Sequence, residues 1–90
     1  MTYTEACKHN AKFCLPTTFK VDKEYADGIG LKWVIDPMGR IGYIKAYRPD
    51  AFLVHYPVKS FKVTIRICVQ SWDISDRNNF RYISRRYSDE

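Results

Sequence analysis

Nothing in this chain approaches the roughly 18 consecutive apolar residues needed to span a bilayer, so no membrane association is expected. Its first apolar residues are interrupted at once by Glu5, Lys8 and His9, which leaves no secretory h-region. Cysteine is scarce and odd in number, with only Cys7, Cys14 and Cys68. Free thiols in a cytoplasmic protein are expected, in preference to a disulfide framework. Glycine and proline number four each, too few for a low-complexity linker, and no internal repeat occurs. Asp27-Gly28-Ile29-Gly30 lacks the third glycine and the following helix of a dinucleotide site.

What is present reads as an ordered small domain. The chain has 90 residues, 46% apolar and 28% charged, which fits one globular domain over 1–90 better than a disordered segment. A chain of this size buries only about two-thirds of its unfolded surface. One core is expected, with little room for a deep ligand pocket, and no cofactor is expected.

The formal charge of +5 is unevenly placed. Over 1–36, Lys8, Lys12, Lys20, Lys23 and Lys32 balance Glu5, Asp22, Glu24, Asp27 and Asp36. Over 73–90, Arg77, Arg81, Arg85 and Arg86 balance Asp73, Asp76, Asp89 and Glu90. The middle, 37–72, sets Arg40, Lys45, Arg48, Lys59, Lys62 and Arg66 against Asp50 alone. That stretch also holds Tyr43, Tyr47, Phe52, Tyr56, Phe61 and Trp72, so it is both basic and aromatic.

Local patterns predict an α+β fold, a small antiparallel sheet of about four or five strands with one N-terminal helix packed on it. Thr2-Tyr3-Thr4-Glu5 fits a capping box opening a helix over 2–14. Cys7, Ala11 and Cys14 form its apolar stripe, and Leu15-Pro16 ends it. Residues 17–22 suggest a short strand with Phe19 and Val21 inward, followed by a loop at 27–30. Asp36-Pro37-Met38-Gly39 matches a type I turn with Gly39 left-handed, the three-residue loop of a hairpin over 31–47. That register sets Asp36 opposite Arg40, Ile35 opposite Ile41, Trp33 opposite Tyr43 and Leu31 opposite Lys45. Trp33, Ile35, Ile41 and Tyr43 then make one apolar face.

Arg48-Pro49-Asp50-Ala51 is a second turn, leading to a short strand over 52–56 that Pro57 closes. The most regular alternation runs over 61–70. Phe61, Val63, Ile65, Ile67 and Val69 point to the core, while Lys62, Thr64, Arg66, Cys68 and Gln70 point to solvent. Ile65→Asp is expected to unfold the protein, since a charge at a core position has no partner. Residues 75–79 either cap a helix or turn a hairpin, and 80–87 lean to a strand on their tyrosines.

No constellation points to catalysis, and the chain is not expected to be an enzyme. His55 has no nucleophile and orienting group assigned to it by sequence, and the acids cluster in loops or at the tail. Zinc at Cys7, His9 and Cys14 is disfavoured. On one helix the two cysteines lie about 10.5 Å apart along the axis, beyond one tetrahedral ion with bonds of about 2.0–2.3 Å. No metal is expected.

The basic, aromatic middle is the candidate site. Its residues are Arg40, Lys45, Arg48, Lys59, Lys62 and Arg66, with Tyr47 and Tyr56 as aromatic anchors. Tyrosine, tryptophan and arginine are the residue types that dominate interface hot spots. The expectation is a non-enzymatic protein that binds, and modulates or inhibits, an acidic or nucleic-acid-associated protein. A viral or bacteriophage accessory protein acting on host nucleic-acid machinery would have this character. The alternative is single-stranded nucleic acid on a basic sheet face, with Lys45, Lys62 and Arg66 on phosphates and Tyr43, Tyr47 or Tyr56 stacking on bases. A homodimer through the edge of the 52–56 strand is a further expectation.

Overall fold

The computed structural model describes residues 1–15, 19–23, 31–61 and 64–83, with 19–23 and Phe61 described by backbone alone. A helix, α1 (Tyr3–Asn10), precedes the strands β1 (Phe19–Lys23), β2 (Trp33–Ile35), β3 (Ile41–Tyr47), β4 (Ala51–Phe61) and β5 (Thr64–Asp73). A 3-10 helix (Ile74–Asn79) leads into β6 (Arg81–Tyr82). Every pairing is antiparallel, in the order β1-β5-β4-β3-β2-β6. Strands β2 to β5 form a meander, and strands from the two ends of the chain extend its two edges. The predicted α+β architecture is the one the chain adopts, with the two-residue β6 added to five longer strands.

The capping box forms as its sequence predicts. Thr2 Oγ1 accepts from Glu5 N at 3.1 Å, and Glu5 Oε1 accepts from Thr2 N at 2.9 Å. The helix is shorter than expected, and of the expected stripe only Cys7, half-buried, packs against the core. Tyr3, Ala6 and Asn10 are buried, while Ala11 and Cys14 are exposed and lie beyond its end. Asn10 lies on the core side for the bonds it makes. Continuing the β3–β4 register would set Ile41 opposite Pro57, which has no N–H to give. The Asn10 carboxamide fills the gap: Nδ2 donates to the carbonyls of Ile41 (2.7 Å) and Pro57 (3.0 Å), and Oδ1 accepts from Ile41 N (2.8 Å). A polar residue is thus one of the three buried anchors of the helix.

The 36–40 turn is as predicted. Gly39 takes φ +90°, a left-handed conformation that side chains rarely adopt, and Asp36 N donates to Arg40 O at 2.9 Å. Trp33 pairs with Tyr43 and Ile35 with Ile41. Leu31 precedes β2, so its expected pairing with Lys45 does not form. Gly42 has a different role, because a Cβ there would meet the His55 carbonyl oxygen at 2.7 Å. It lets β4 approach closely.

The strand over 52–56 proves to be part of a longer and more central one. Strand β4 runs through Pro57 to Phe61, paired with β5 along its length and with β3 over 52–55, the part expected to be an edge. It is therefore not an edge, and the expected homodimer through it has no free strand to use. Proline is tolerated there because the β4–β5 ladder shifts register between Pro57 and Lys59. The 61–70 alternation likewise belongs to two strands, with Phe61 at the end of β4 opposite Thr64 at the start of β5. Lys62 and Val63, the side chains of Phe19, Val21 and Phe61, the loop at 27–30 and residues 84–87 lie outside what is described.

Both faces of the sheet are covered. Under α1, Tyr3, Ala6, Trp33, Ile41, Tyr43, Ile65 and Ile67 form one core. On the opposite face Val34, Phe52, Val54, Tyr56, Cys68 and Phe80 form a second, with Leu15, Ile44, Val58 and Trp72 packed against it. Leu15 reaches this face after α1, and Phe80 follows the 3-10 helix onto it. Much of the side expected to be wet is covered because Leu15 and Phe80 pack across it, although Arg66 stays exposed. Cys68, expected outward, is buried there, and burial pushes its thiol above the usual range although Arg40's charge pulls the other way. Burying each large apolar side chain contributes about 1.5–3 kcal/mol.

Candidate functional site

The residues expected to form one basic, aromatic surface are scattered. Arg40 and Tyr56 are buried, so they are not surface contacts. Lys45, Tyr47, Arg48, Lys59 and Arg66 are exposed, and Lys62 lies outside the described residues. Lys59 stands opposite Arg66, whereas Tyr47 stands opposite Phe52 near the other end of β4. At about 3.3 Å per residue, those two places lie roughly 20 Å apart. Tyr43, opposite His55, is buried too, so among the described side chains no exposed ring stands beside the basic pair in the ladder.

Arg40 is committed to an internal network. Its Nε donates to Asp36 Oδ2 at 2.7 Å, Nη1 to the Cys14 carbonyl at 3.1 Å and Nη2 to Gln70 Oε1 at 2.9 Å. Asp36 also accepts from the backbone N–H groups of Met38 and Arg40, and from the Tyr56 hydroxyl at 2.9 Å. Trp72 Nε1 in turn donates to the Tyr56 hydroxyl at 3.0 Å. Burial pushes the Tyr56 phenol well above its usual range, and the Asp36 charge and hydrogen bond add to it. The turn that opens the hairpin is also the electrostatic centre of the second core.

A different cluster occupies the surface above that core. Among the described residues four large apolar side chains are exposed: Met38, Tyr47, Ile74 and Tyr82. Two of them, Tyr47 and Tyr82, meet at Arg77. Its Nε donates to the Tyr47 hydroxyl at 3.0 Å, and its Nη2 donates to the Tyr82 hydroxyl. The guanidinium carbon lies 4.8 Å from the Tyr82 ring centroid. Ile74 is three residues before Arg77 in the 3-10 helix, a spacing that eclipses side chains on one side.

The cluster is built upon a firm base. The Tyr47 ring lies 6.1 Å from Phe52, which meets Phe80 edge-on at 5.1 Å, and Phe80 meets Trp72 at 5.0 Å. The 3-10 helix that carries Arg77 is capped by Asp73, whose side chain accepts from Ser75 N at 3.0 Å and which is held below the usual carboxylate range by that bond. Partial burial of Arg77 opposes its charge. The Tyr47 bond and the two neighbouring phenols outweigh it and raise the guanidinium above its ordinary value.

Tyr47 was legible in the sequence as an anchor; Arg77, Ile74 and Tyr82 were not. Their only signal was the clustering of arginine and tyrosine near the C-terminal end, in a stretch whose net charge is zero.

Other places are less suited to function. A groove of about 440 Å³, open to solvent, is lined by Met1, Glu5, His9, Ile35, Ile41 and Ile83. The His9 Nε2 on its wall already donates to the Gly39 carbonyl at 2.7 Å. His55 is buried with its ring 5.4 Å from Tyr43. Cys14 lies beyond the end of α1, so the helical spacing argument about zinc no longer applies to it. Among the described residues no group of three His, Cys, Asp or Glu side chains is placed to hold a metal. No described helix is long and apolar enough to cross a membrane. Compared with protein families, with curated proteins and with solved structures, the chain matches none.

Proposed function

We propose that this chain is a non-enzymatic protein-binding module whose contact surface is the Tyr47–Ile74–Arg77–Tyr82 cluster. The observation that carries the reading is that two of the four large apolar side chains exposed among the described residues, Tyr47 and Tyr82, are held on one arginine, with a third, Ile74, three residues before it in the 3-10 helix. Tyrosine and arginine are the residues that most often dominate interface energetics, and a rigid base lowers the entropy lost on docking. The mixed charge around the cluster supports a protein partner over a polyanion. Arg48, Arg77 and Arg81 are matched by Asp50, Asp73 and Asp76 in the same part of the chain. A viral or bacteriophage accessory protein that occupies a site on a host machine remains the role that such a surface would serve.

The test is retention of a partner by the immobilised full chain from nuclease-treated extract of its source cells, with the retained protein identified by mass spectrometry. Its affinity is then measured against Arg77→Ala, Tyr82→Ala and the double variant Lys59→Glu/Arg66→Glu. The first two should lose at least about tenfold, as hot-spot truncations do. The double variant should bind as the parent does. Equal binding by Arg77→Ala and the parent overturns the assignment. Steeply salt-dependent binding of single-stranded oligonucleotides, lost in the double variant, would move the function to nucleic acid.

A further inference from the structure

We infer that the Arg77 cluster is a receptor for a single carboxylate, carried on a partner segment with apolar residues beside it; this rests on the binding surface proposed above. The chemistry follows from which atoms are already used. Arg77 spends one edge of its guanidinium, Nε and one Nη2 proton, on the hydroxyls of Tyr47 and Tyr82. Each hydroxyl therefore accepts from Arg77 and turns its own proton outward, since a phenol has one proton to donate. The other guanidinium N–H groups take no acceptor among the described residues. The cluster thus presents two O–H donors and the remaining N–H donors of a cation, with the phenol oxygens already accepting from Arg77.

A surface made of donors around a fixed positive charge selects an acceptor-only, anionic group. Carboxylate answers that description, and arginine–carboxylate contacts are about twice as strong as neutral hydrogen bonds. The fold contains its own precedent in Arg40, which takes the Asp36 carboxylate at 2.7 Å while lying 4.6 Å from the Tyr56 ring centroid. Arg77 has the same ring contact at 4.8 Å, and no acid side chain takes its guanidinium among the described residues. Ile74 and the faces of the two tyrosines supply apolar contact on either side, which fits a peptide with an acid between aliphatic residues. A nucleic-acid backbone is less well matched, because it needs several cations in a row, and Asp73 and Asp76 stand in the same turn.

The experiment follows the Arg77 Nε–H and the Tyr47 and Tyr82 ring resonances by NMR in the full-length chain. Three short synthetic peptides are titrated that differ at one central position between leucines: glutamate, glutamine or phosphoserine. The glutamate peptide should shift all three sets of resonances, and the glutamine twin should bind at least about tenfold more weakly. The glutamate peptide should lose that advantage against Arg77→Gln, whose amide spectrum reports that the fold is kept. Equal binding of glutamate and glutamine peptides would overturn the carboxylate assignment while leaving the apolar interface standing. Tighter binding of the phosphoserine peptide would replace carboxylate with phosphate. Response to a single-stranded oligonucleotide but to no peptide would overturn both this inference and the protein-binding reading.

Discussion

Arg40 and Arg77 present the same chemical group in opposite settings. Each lays its guanidinium against a tyrosine ring, Arg40 at Tyr56 and Arg77 at Tyr82, and each contacts hydrogen-bonding side chains from distant parts of the chain. Arg40 is 4% exposed, and each of its three guanidinium nitrogens donates, to a carboxylate, a carbonyl and a carboxamide. Arg77 is near the surface and, among the described residues, its guanidinium is bonded to two phenols that are each 56% exposed. Burying a cation demands a partner for its charge, so Arg40 exists as a pair with Asp36. A surface cation is stable without one. The difference separates an arginine that the fold requires from one that the fold leaves available.

The comparison breaks most sharply at Asp36. Asp36→Ala removes the carboxylate and leaves Arg40 buried without a counter-ion, which should cost about 3–5 kcal/mol. Urea denaturation at neutral pH should show this as a large fall in midpoint. A midpoint equal to that of the parent would mean that Arg40 reaches water on its own. Converting both Asp36 and Arg40 to apolar residues should recover part of the loss, because the stranded charge is then gone.

Tyr56→Phe is the next test, expected to cost about 1–3 kcal/mol by leaving Asp36 short of a donor and Trp72 short of an acceptor. It also has a pH signature. Burial raises the folded phenol well above its ordinary value, so the unfolded chain releases this proton first as pH rises. The stabilisation is complete below about pH 10, the unfolded value, and is lost progressively above it. Denaturation midpoints of the parent should therefore fall more steeply than those of Tyr56→Phe between about pH 9 and 11. Parallel curves would place the hydroxyl in contact with solvent.

How far the sequence reveals each region follows from the range of the interactions involved. The Thr2–Glu5 capping box and the Asp36–Gly39 turn are legible because both depend on residues three apart with fixed geometry. The role of Asp36 beyond its turn was not legible, since Tyr56 lies twenty residues away and joins it only through the second core. Reading Cys7, Ala11 and Cys14 as the helix stripe followed apolarity alone, and Asn10 is buried for its hydrogen bonds. The alternation over 61–70 has no glycine, proline, asparagine or aspartate to mark a break, so the boundary between β4 and β5 leaves no local trace. Sheet faces also read as wet or dry by composition, whereas the covering of the second face depends on where Leu15 and Phe80 are carried by the rest of the chain. The Arg77 cluster assembles from β3, the 3-10 helix and β6, and no spacing rule joins those three.

The smallest effect on stability should come from Arg77→Ala. The substitution exposes no unpaired charge and empties no core volume, so the midpoint should shift by less than about 1 kcal/mol, the range of exposed polar contacts. Combining it with Tyr82→Phe extends the comparison. Arg77 and Tyr82 touch, so their effects should fail to add, but only by a few tenths of a kcal/mol. The corresponding cycle of Arg40→Met with Tyr56→Phe should show a coupling several times larger, because both members bond the same buried carboxylate. Equal couplings in the two cycles would show that Arg77 serves the fold as Arg40 does, and would remove the reason for assigning it to a partner. A small coupling beside a large loss of partner affinity would locate the worth of Arg77 outside its own chain.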